Sequence, residues 1–192
     1  MLLAREYRTK ITWEDVDFFW SDERFVPLTD SLSNYRMARE SLLEPLRIHE
    51  EHIYAIPTNL PNPADAAADY ASMLSEYFRV DTPSFDLILL GMGGDGHTAS
   101  LFPNSPGLEE TKRPVIDVAA PPGIQPPRRL SFSLPTINAA KNIFFLVSGT
   151  DKKTAADRIL HRHSNEEEEL PAGRVQAVER TVWFIDEAAS QK

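Results

Sequence analysis

The chain of 192 residues contains no cysteine. That excludes disulfides, a thiol nucleophile and thiolate metal sites, and it suits a reducing, cytoplasmic setting. Glycine is scarce, with eight in all, and the first is Gly91. No apolar run approaches the roughly 20 residues of a membrane span, so no membrane partner is expected. The opening Met1–Glu6 has too few apolar residues for a signal peptide. Positive charge is in deficit, for a net charge of -9. This argues against nonspecific nucleic-acid binding but leaves room for a local basic pocket holding an anionic substrate. Histidines are few and not spaced with carboxylates to close around zinc, so no metal is expected.

What is present points to one soluble α/β domain. Short apolar runs alternate with helical stretches, which implies βαβ units and a mostly parallel sheet. Strands are expected at Val16–Trp20, Ile53–Ile56, Phe85–Leu90, Val115–Ala119, Leu130–Leu134, Asn142–Ser148 and Thr181–Ile185. Phe85–Leu90 reads as buried on both faces, whereas Leu130, Phe132 and Leu134 alternate with serines and read as half-buried. Ser33 is placed to cap a helix from about Asn34 to Leu43. Asn62, followed by Pro63 and Asp65, is a strong start for a second helix with the apolar stripe Ala67, Tyr70, Ala71, Leu74, Tyr77 and Phe78. A third runs from about Asp151 to Leu160. Pro121, Pro122, Pro126 and Pro127 make a stiff connection, and Glu166–Glu169 reads as a solvated loop. Trp13, Trp20 and Trp183 read as core or near-core residues.

The most informative segment is Gly91-Met92-Gly93-Gly94-Asp95-Gly96-His97-Thr98-Ala99-Ser100-Leu101-Phe102-Pro103. It follows the Phe85–Leu90 strand, where open α/β sheets bind ligands. Gly91, Gly93 and Gly96 formally match the dinucleotide fingerprint. That reading fails because Pro103 and Pro106 interrupt the long helix it requires, and because Asp95 would face a pyrophosphate. An acid and a histidine inside a glycine-rich ligand loop point to proton transfer, with His97 as general base. Asp95 is a candidate to orient His97 or to bind a sugar hydroxyl. His49, His52, His161 and His163 read as ordinary surface residues.

This segment resembles the signature of the 6-phosphogluconolactonases, within the sugar-phosphate isomerase/deaminase superfamily. Phe18–Pro27 with Ser33-Asn34-Tyr35, then Arg129–Asn138, Val147–Lys152 and Val182–Ala189, extend the resemblance over nearly the whole chain. It implies a three-layer Rossmann-like α/β fold, with a mostly parallel central sheet and helices on both faces. The implied reaction is hydrolysis of 6-phospho-D-glucono-1,5-lactone to 6-phospho-D-gluconate in the oxidative pentose phosphate pathway. His97 would activate the attacking water. Lactone hydrolysis needs water, a base and charge stabilisation, so no cofactor is expected; the partner is a small phosphosugar lactone. Gly93 and Gly94 would line the substrate. Arg24 suits a phosphate or a polarised carbonyl, with an ion pair to Asp22 or Glu23 as the alternative. Arg129 and Lys152 are the phosphate candidates, with Arg128 and Lys153 as adjacent rivals.

Two alternatives stay open. A glucosamine-6-phosphate deaminase-like enzyme would use the same fold, but its loop carries a carboxylate where this chain has Thr98–Pro103. A non-catalytic sugar-phosphate-binding protein is the other. The resemblance also implies an earlier strand and a Gly-Gly-Ser-Thr-Pro-like phosphate loop, which nothing before Val16 supplies. A single domain over 1–192, truncated at its N-terminus, is therefore expected, with a gap between Val16–Trp20 and Phe85–Leu90. Oligomeric state is not legible in the sequence.

Overall fold

The computed structural model describes residues 2–161 and 170–190. Glu166–Glu169 and His163 lie outside the described residues. A short helix α1 (Leu2–Arg5) precedes strands β1 (Phe18–Phe19) and β2 (Asp22–Arg24). Helix α2 (Asn34–Ala38) continues through a π-helical turn, Arg39–Leu43, into α3 (Glu44–Leu46). Strand β3 (Ile53–Tyr54), helix α4 (Pro63–Phe78), and strands β4 (Leu87–Leu90), β5 (Val115–Ala119) and β6 (Arg128–Phe132) follow. Helix α5 (Leu134–Asn138), strand β7 (Asn142–Val147), helix α6 (Lys153–Leu160) and strand β8 (Arg180–Ile185) complete the order.

Both expected caps form. The Ser33 hydroxyl accepts from Arg36 N at 3.1 Å, and Asn62 Oδ1 accepts from Asp65 N at 2.9 Å. Each satisfies one of the amides that a helix start leaves without an intrahelical partner. Helix α4 packs on β5 and β6. Its buried Tyr70 accepts from Trp20 N at 3.0 Å and donates to Tyr54 O at 2.9 Å. One hydroxyl thus pins the helix beside both β1 and β3. Burial of that phenol pushes its pKa upward.

The strands form three groups. β1 and β3 are parallel; β4, β7 and β8 are parallel in that order; β2, β6 and β5 form an antiparallel sheet. This is a Rossmann-like α/β arrangement in which the parallel strands and the antiparallel β5 and β6 both contribute to the core, and the antiparallel sheet flanks the site. Strand β1 pairs only with β3, and β4 only with β7, among the described residues.

Three expectations need correction. Strand β4 is buried on one face only: Ile88 and Leu90 are in the core, but Leu87 and Leu89 are 46% and 51% exposed. Leu146 on β7 and Phe184 on β8 are also exposed, so the parallel sheet shows one bare apolar face. A continuous apolar run cannot reveal which face has a covering layer. Second, β6 is not half-buried, because Ser131 is as enclosed as Leu130 and Phe132. Leu134 belongs to α5 instead. Third, His52 is no simple surface residue. Its Nδ1 lies 2.7 Å from Asp17 Oδ1, and the other Asp17 oxygen accepts from Tyr77 OH.

Of the tryptophans, Trp20 is buried and Trp183 stacks on Phe145 with centroids 3.9 Å apart. Trp13 is partly buried.

The burial contrast within β4 makes a prediction. Ile88→Ala should cost about 2–5 kcal/mol of unfolding free energy. Leu87→Gln, one residue away, should stay within about 0.5 kcal/mol. Denaturant melts of the two variants check this, and equal losses would show that both faces are covered.

Candidate active site

The glycine loop after β4 is closed on itself. Gly93 N donates to His97 O at 2.8 Å, and Gly96 N donates to Gly93 O at 3.0 Å. A Cβ on Gly93 would overlap His97 Nδ1 and Cε1, so only glycine lets the imidazole fold over this turn. Gly96 has φ +81°, and its carbonyl accepts from Ala172 N at 3.0 Å. Gly94 meets the loop's other neighbour: a Cβ there would come within 2.9 Å of the Asp151 carbonyl oxygen.

His97 Nδ1 lies 2.6 Å from Asp95 Oδ1, and the same oxygen accepts from His97 N at 3.1 Å. Burial pushes the Asp95 pKa up, but the His97 amide and ring outweigh it, so the net direction is down. An ionised carboxylate only accepts, so Nδ1 is the donor and Nε2 is the nitrogen left to accept a proton in the neutral imidazole. The ring packs on buried Phe102, with centroids 4.8 Å apart.

Strand β2 supplies the opposite wall. Its central Glu23 is 1% exposed. The carboxylate accepts from Arg24 N, Asn34 N and Tyr35 N, each at 2.7 Å, and from Ser33 Oγ at 2.9 Å. Glu23 is thereby occupied with the start of α2 and does not pair with Arg24. The Arg24 guanidinium donates through Nη1 to Leu32 O at 2.7 Å, while its enclosed Nε has no partner.

Directly across the strand pair from Arg24 stands Arg129. Arg129 is 7% exposed and donates to Pro126 O at 3.1 Å and Gln125 O at 3.2 Å. Burial, then the nearby Arg24 charge, lower its pKa. Like charges directly opposite on a sheet are destabilising. Two such arginines without an ion pair among the described residues make a place for an anion.

These walls enclose a cavity of about 300 Å³ lined by Asp22, Arg24, Asn34, Gly93, His97, Arg129 and Lys152, together with the β4 end Leu89–Met92. Of the residues singled out from sequence, His97, Arg24, Gly93, Arg129 and Lys152 line it. Asp95 does not, and reaches the cavity only through His97. Gly94 does not line it either; it packs toward Asp151. The adjacent rivals part company. Arg128 pairs with Asp117 at 2.6 Å, away from the cavity, and Lys153 is exposed. Lys152 Nζ lies 2.8 Å from Asp151 Oδ2, in a pair whose acid is largely in solvent and which holds the amine weakly.

Asp22 and Ser100 were not singled out from sequence. Ser100 Oγ donates to Asp22 Oδ2 at 2.8 Å. Asp22 was visible only as a possible ion-pair partner of Arg24, and Ser100 only as a member of the glycine-rich segment, and neither position in sequence discloses which side the residue faces. Among the described residues, no group of three or more His, Cys, Asp or Glu is arranged to hold a metal ion. No helix among them is long and apolar enough to cross a membrane.

The Gly93 geometry is testable. In Gly93→Ala the imidazole must leave Asp95, so the downfield Nδ1 proton resonance of a carboxylate-bonded histidine should vanish. Gly91→Ala should keep it, because a Cβ there meets nothing within 4 Å. Retention of the resonance in Gly93→Ala would show that the loop tolerates a side chain.

Comparison with known proteins places this architecture. The family model for glucosamine-6-phosphate isomerases/6-phosphogluconolactonase matches residues 1–183. The 6-phosphogluconolactonase of Synechocystis sp. is 39% identical over 187 residues, covering 96% of this chain and 76% of that protein. The human 6-phosphogluconolactonase is 41% identical over 172 residues, covering 88% of this chain and 65% of its own length. Among solved structures, a devB protein superposes with a TM-score of 0.88 at 32% identity, over 98% of this chain and 79% of the other. The 6-phosphogluconolactonase of Thermotoga maritima gives 0.81 at 29% identity, over 99% and 79%. The chain belongs to the glucosamine-6-phosphate isomerase/6-phosphogluconolactonase family.

Proposed function

We propose that this protein hydrolyses 6-phospho-D-glucono-1,5-lactone to 6-phospho-D-gluconate, the lactonase step of the oxidative pentose phosphate pathway. The observation that carries the reading is the Asp95–His97 pair, with the ring lining a cavity that also holds two unpaired arginines. The lactone carbonyl is attacked by a water whose proton passes to His97 Nε2. Asp95 keeps the proton on Nδ1 and steadies the imidazolium that forms. The tetrahedral oxyanion is stabilised by a cation or by loop amides, and Arg24, which lines the cavity, is the cation placed for it. Collapse breaks the bond from C1 to the ring oxygen. That oxygen takes the proton back from His97 and leaves as a hydroxyl, and the new carboxylic acid ionises.

Arg129 and Lys152 are the groups that hold the phosphate. The deaminase alternative gains nothing from the site, since residues 98–103 contain no carboxylate.

The direct test is the purified protein with freshly generated lactone, spontaneous hydrolysis subtracted. A rate no faster than the blank would sink the proposal. His97→Asn should lower kcat by about 10²–10⁴-fold with the fold intact by circular dichroism. Activity within twofold of the parent would remove His97 as the base.

Arg129→Ala and Lys152→Ala should each weaken binding of 6-phosphogluconate by roughly 1.5–3 kcal/mol, the range for a lost hydrogen bond to a charged group. The same changes should matter much less for unphosphorylated gluconolactone. Equal losses on both ligands would take these residues out of the phosphate site.

A further inference from the structure

One carboxylate on the cavity wall has no part in the chemistry above. Asp22 sits on β2 beside Arg24, with Arg24, Arg129 and His97 all within electrostatic reach. Burial pushes its pKa up, against the opposing effects of the Ser100 hydrogen bond and of the nearby Arg24, Arg129 and His97. Both carboxylate oxygens have a neighbour: Oδ2 accepts from Ser100 Oγ at 2.8 Å, and Oδ1 lies 3.3 Å from Asn34 Nδ2. The same Asn34 amide donates to the Asp22 carbonyl at 3.0 Å.

Ser100 is held a second time. Its backbone N donates to Ser131 Oγ at 3.2 Å. Ser131 is the residue opposite Asp22 in the β2–β6 register. A single cross-strand pair therefore grips one residue at both its side chain and its backbone. Ser100 is fully enclosed, at 0% exposure.

The gripped residue lies in the segment that bears the base. Between His97 and Ser100 the chain is irregular, and Ala99 has φ +48°. Non-glycine residues in that region persist only where their surroundings over-determine them. Leu101 and Phe102 are buried in the core, and two further hydrogen bonds brace the segment: Thr98 Oγ1 donates to Gly91 O at 2.8 Å, and Leu101 N donates to Thr98 O at 2.9 Å. Both lie within the loop itself. The Asp22 and Ser131 contacts are the hydrogen bonds that join it to the antiparallel sheet.

We propose that Asp22 is a positioning residue for His97: acting through Ser100, it fastens the base-bearing segment to the strand that carries Arg24. Base and cation then face the lactone at a fixed separation. In its kinetic half this inference rests on the lactonase reading above; its structural half does not.

The decisive variant is Ser100→Ala, which removes the hydroxyl and adds no atom. It should lower kcat about 10- to 100-fold, the scale of a small misplacement of a reacting group, and leave KM within about threefold. Amide hydrogen exchange at residues 97–101 should accelerate about tenfold or more, with β7 unchanged. Asp22→Ala should do the same, and the double variant should be no slower than Asp22→Ala by more than about threefold. Asp22→Asn keeps an oxygen able to accept from Ser100, so it should recover most of the kcat lost in Asp22→Ala.

Ser100→Ala with kcat within twofold of the parent overturns the proposal, whatever the exchange shows. So do multiplicative losses in the double variant, or a loss confined to KM. Should Asp22→Ala fail to fold, Ser100→Ala decides alone. If the parent itself hydrolyses no lactone, the lactonase reading falls. The exchange experiment then decides the tether: acceleration at 97–101 supports it, and unchanged exchange overturns it.

Discussion

The buried Glu23 carboxylate is the contact on which the rest of the site depends. A carboxylate taken out of water is costly unless hydrogen bonds replace its hydration. Here four donors do so, three backbone amides and the Ser33 hydroxyl. Two of those amides belong to the first turn of α2, where an anion is also favoured by the helix dipole. The excursion between β2 and α2 is thus closed at one point. Its closing brings Asp22, Arg24 and Asn34 to one wall, because alternate residues of a strand share a face. Asp22 and Arg24 flank Glu23, so the residue facing the interior anchors the two facing the cavity.

Charge is distributed against the protein's overall balance. A chain of net charge -9 concentrates Arg24, Arg129 and Lys152 on one cavity. The acids nearest the two arginines and the histidine are otherwise engaged, Glu23 with α2, Asp22 with Ser100 and Asn34, Asp95 with His97, while Lys152 keeps only its exposed pair with Asp151. The arginines are held by backbone carbonyls, which fix direction without neutralising charge. Such preorganised donors suit an anionic ligand and a developing oxyanion. The arrangement also explains why adjacent basic residues are not equivalent, since Arg128 faces away from the cavity and is neutralised by Asp117.

Local signals were legible wherever one residue type has one physical use. Ser33 and Asn62 cap helices because a side-chain acceptor meets a free amide at the helix start. The glycine loop was legible as a tight turn, and the Gly93 contact with the imidazole supplies the steric reason. His97 and Asp95 were legible as a pair because both lie within that turn. Arg24, Arg129 and Lys152 were readable as basic residues next to strand ends, but choosing them over their neighbours needed the pleat and the packing.

Sequence by itself determined the α/β class, the helix starts, the glycine turn and its histidine, since each rests on interactions within a few residues. Tertiary structure alone decided which strand faces are covered. Leu87 and Ile88 have similar side chains and opposite environments, because burial depends on what another element places overhead. It alone brought Arg24 opposite Arg129, a consequence of register between strands distant in the chain. It alone joined Asp22 to Ser100, whose separation along the chain leaves no local trace of a hydrogen bond. Short-range chemistry can be read from residue order, whereas long-range pairing exists only once the chain has folded.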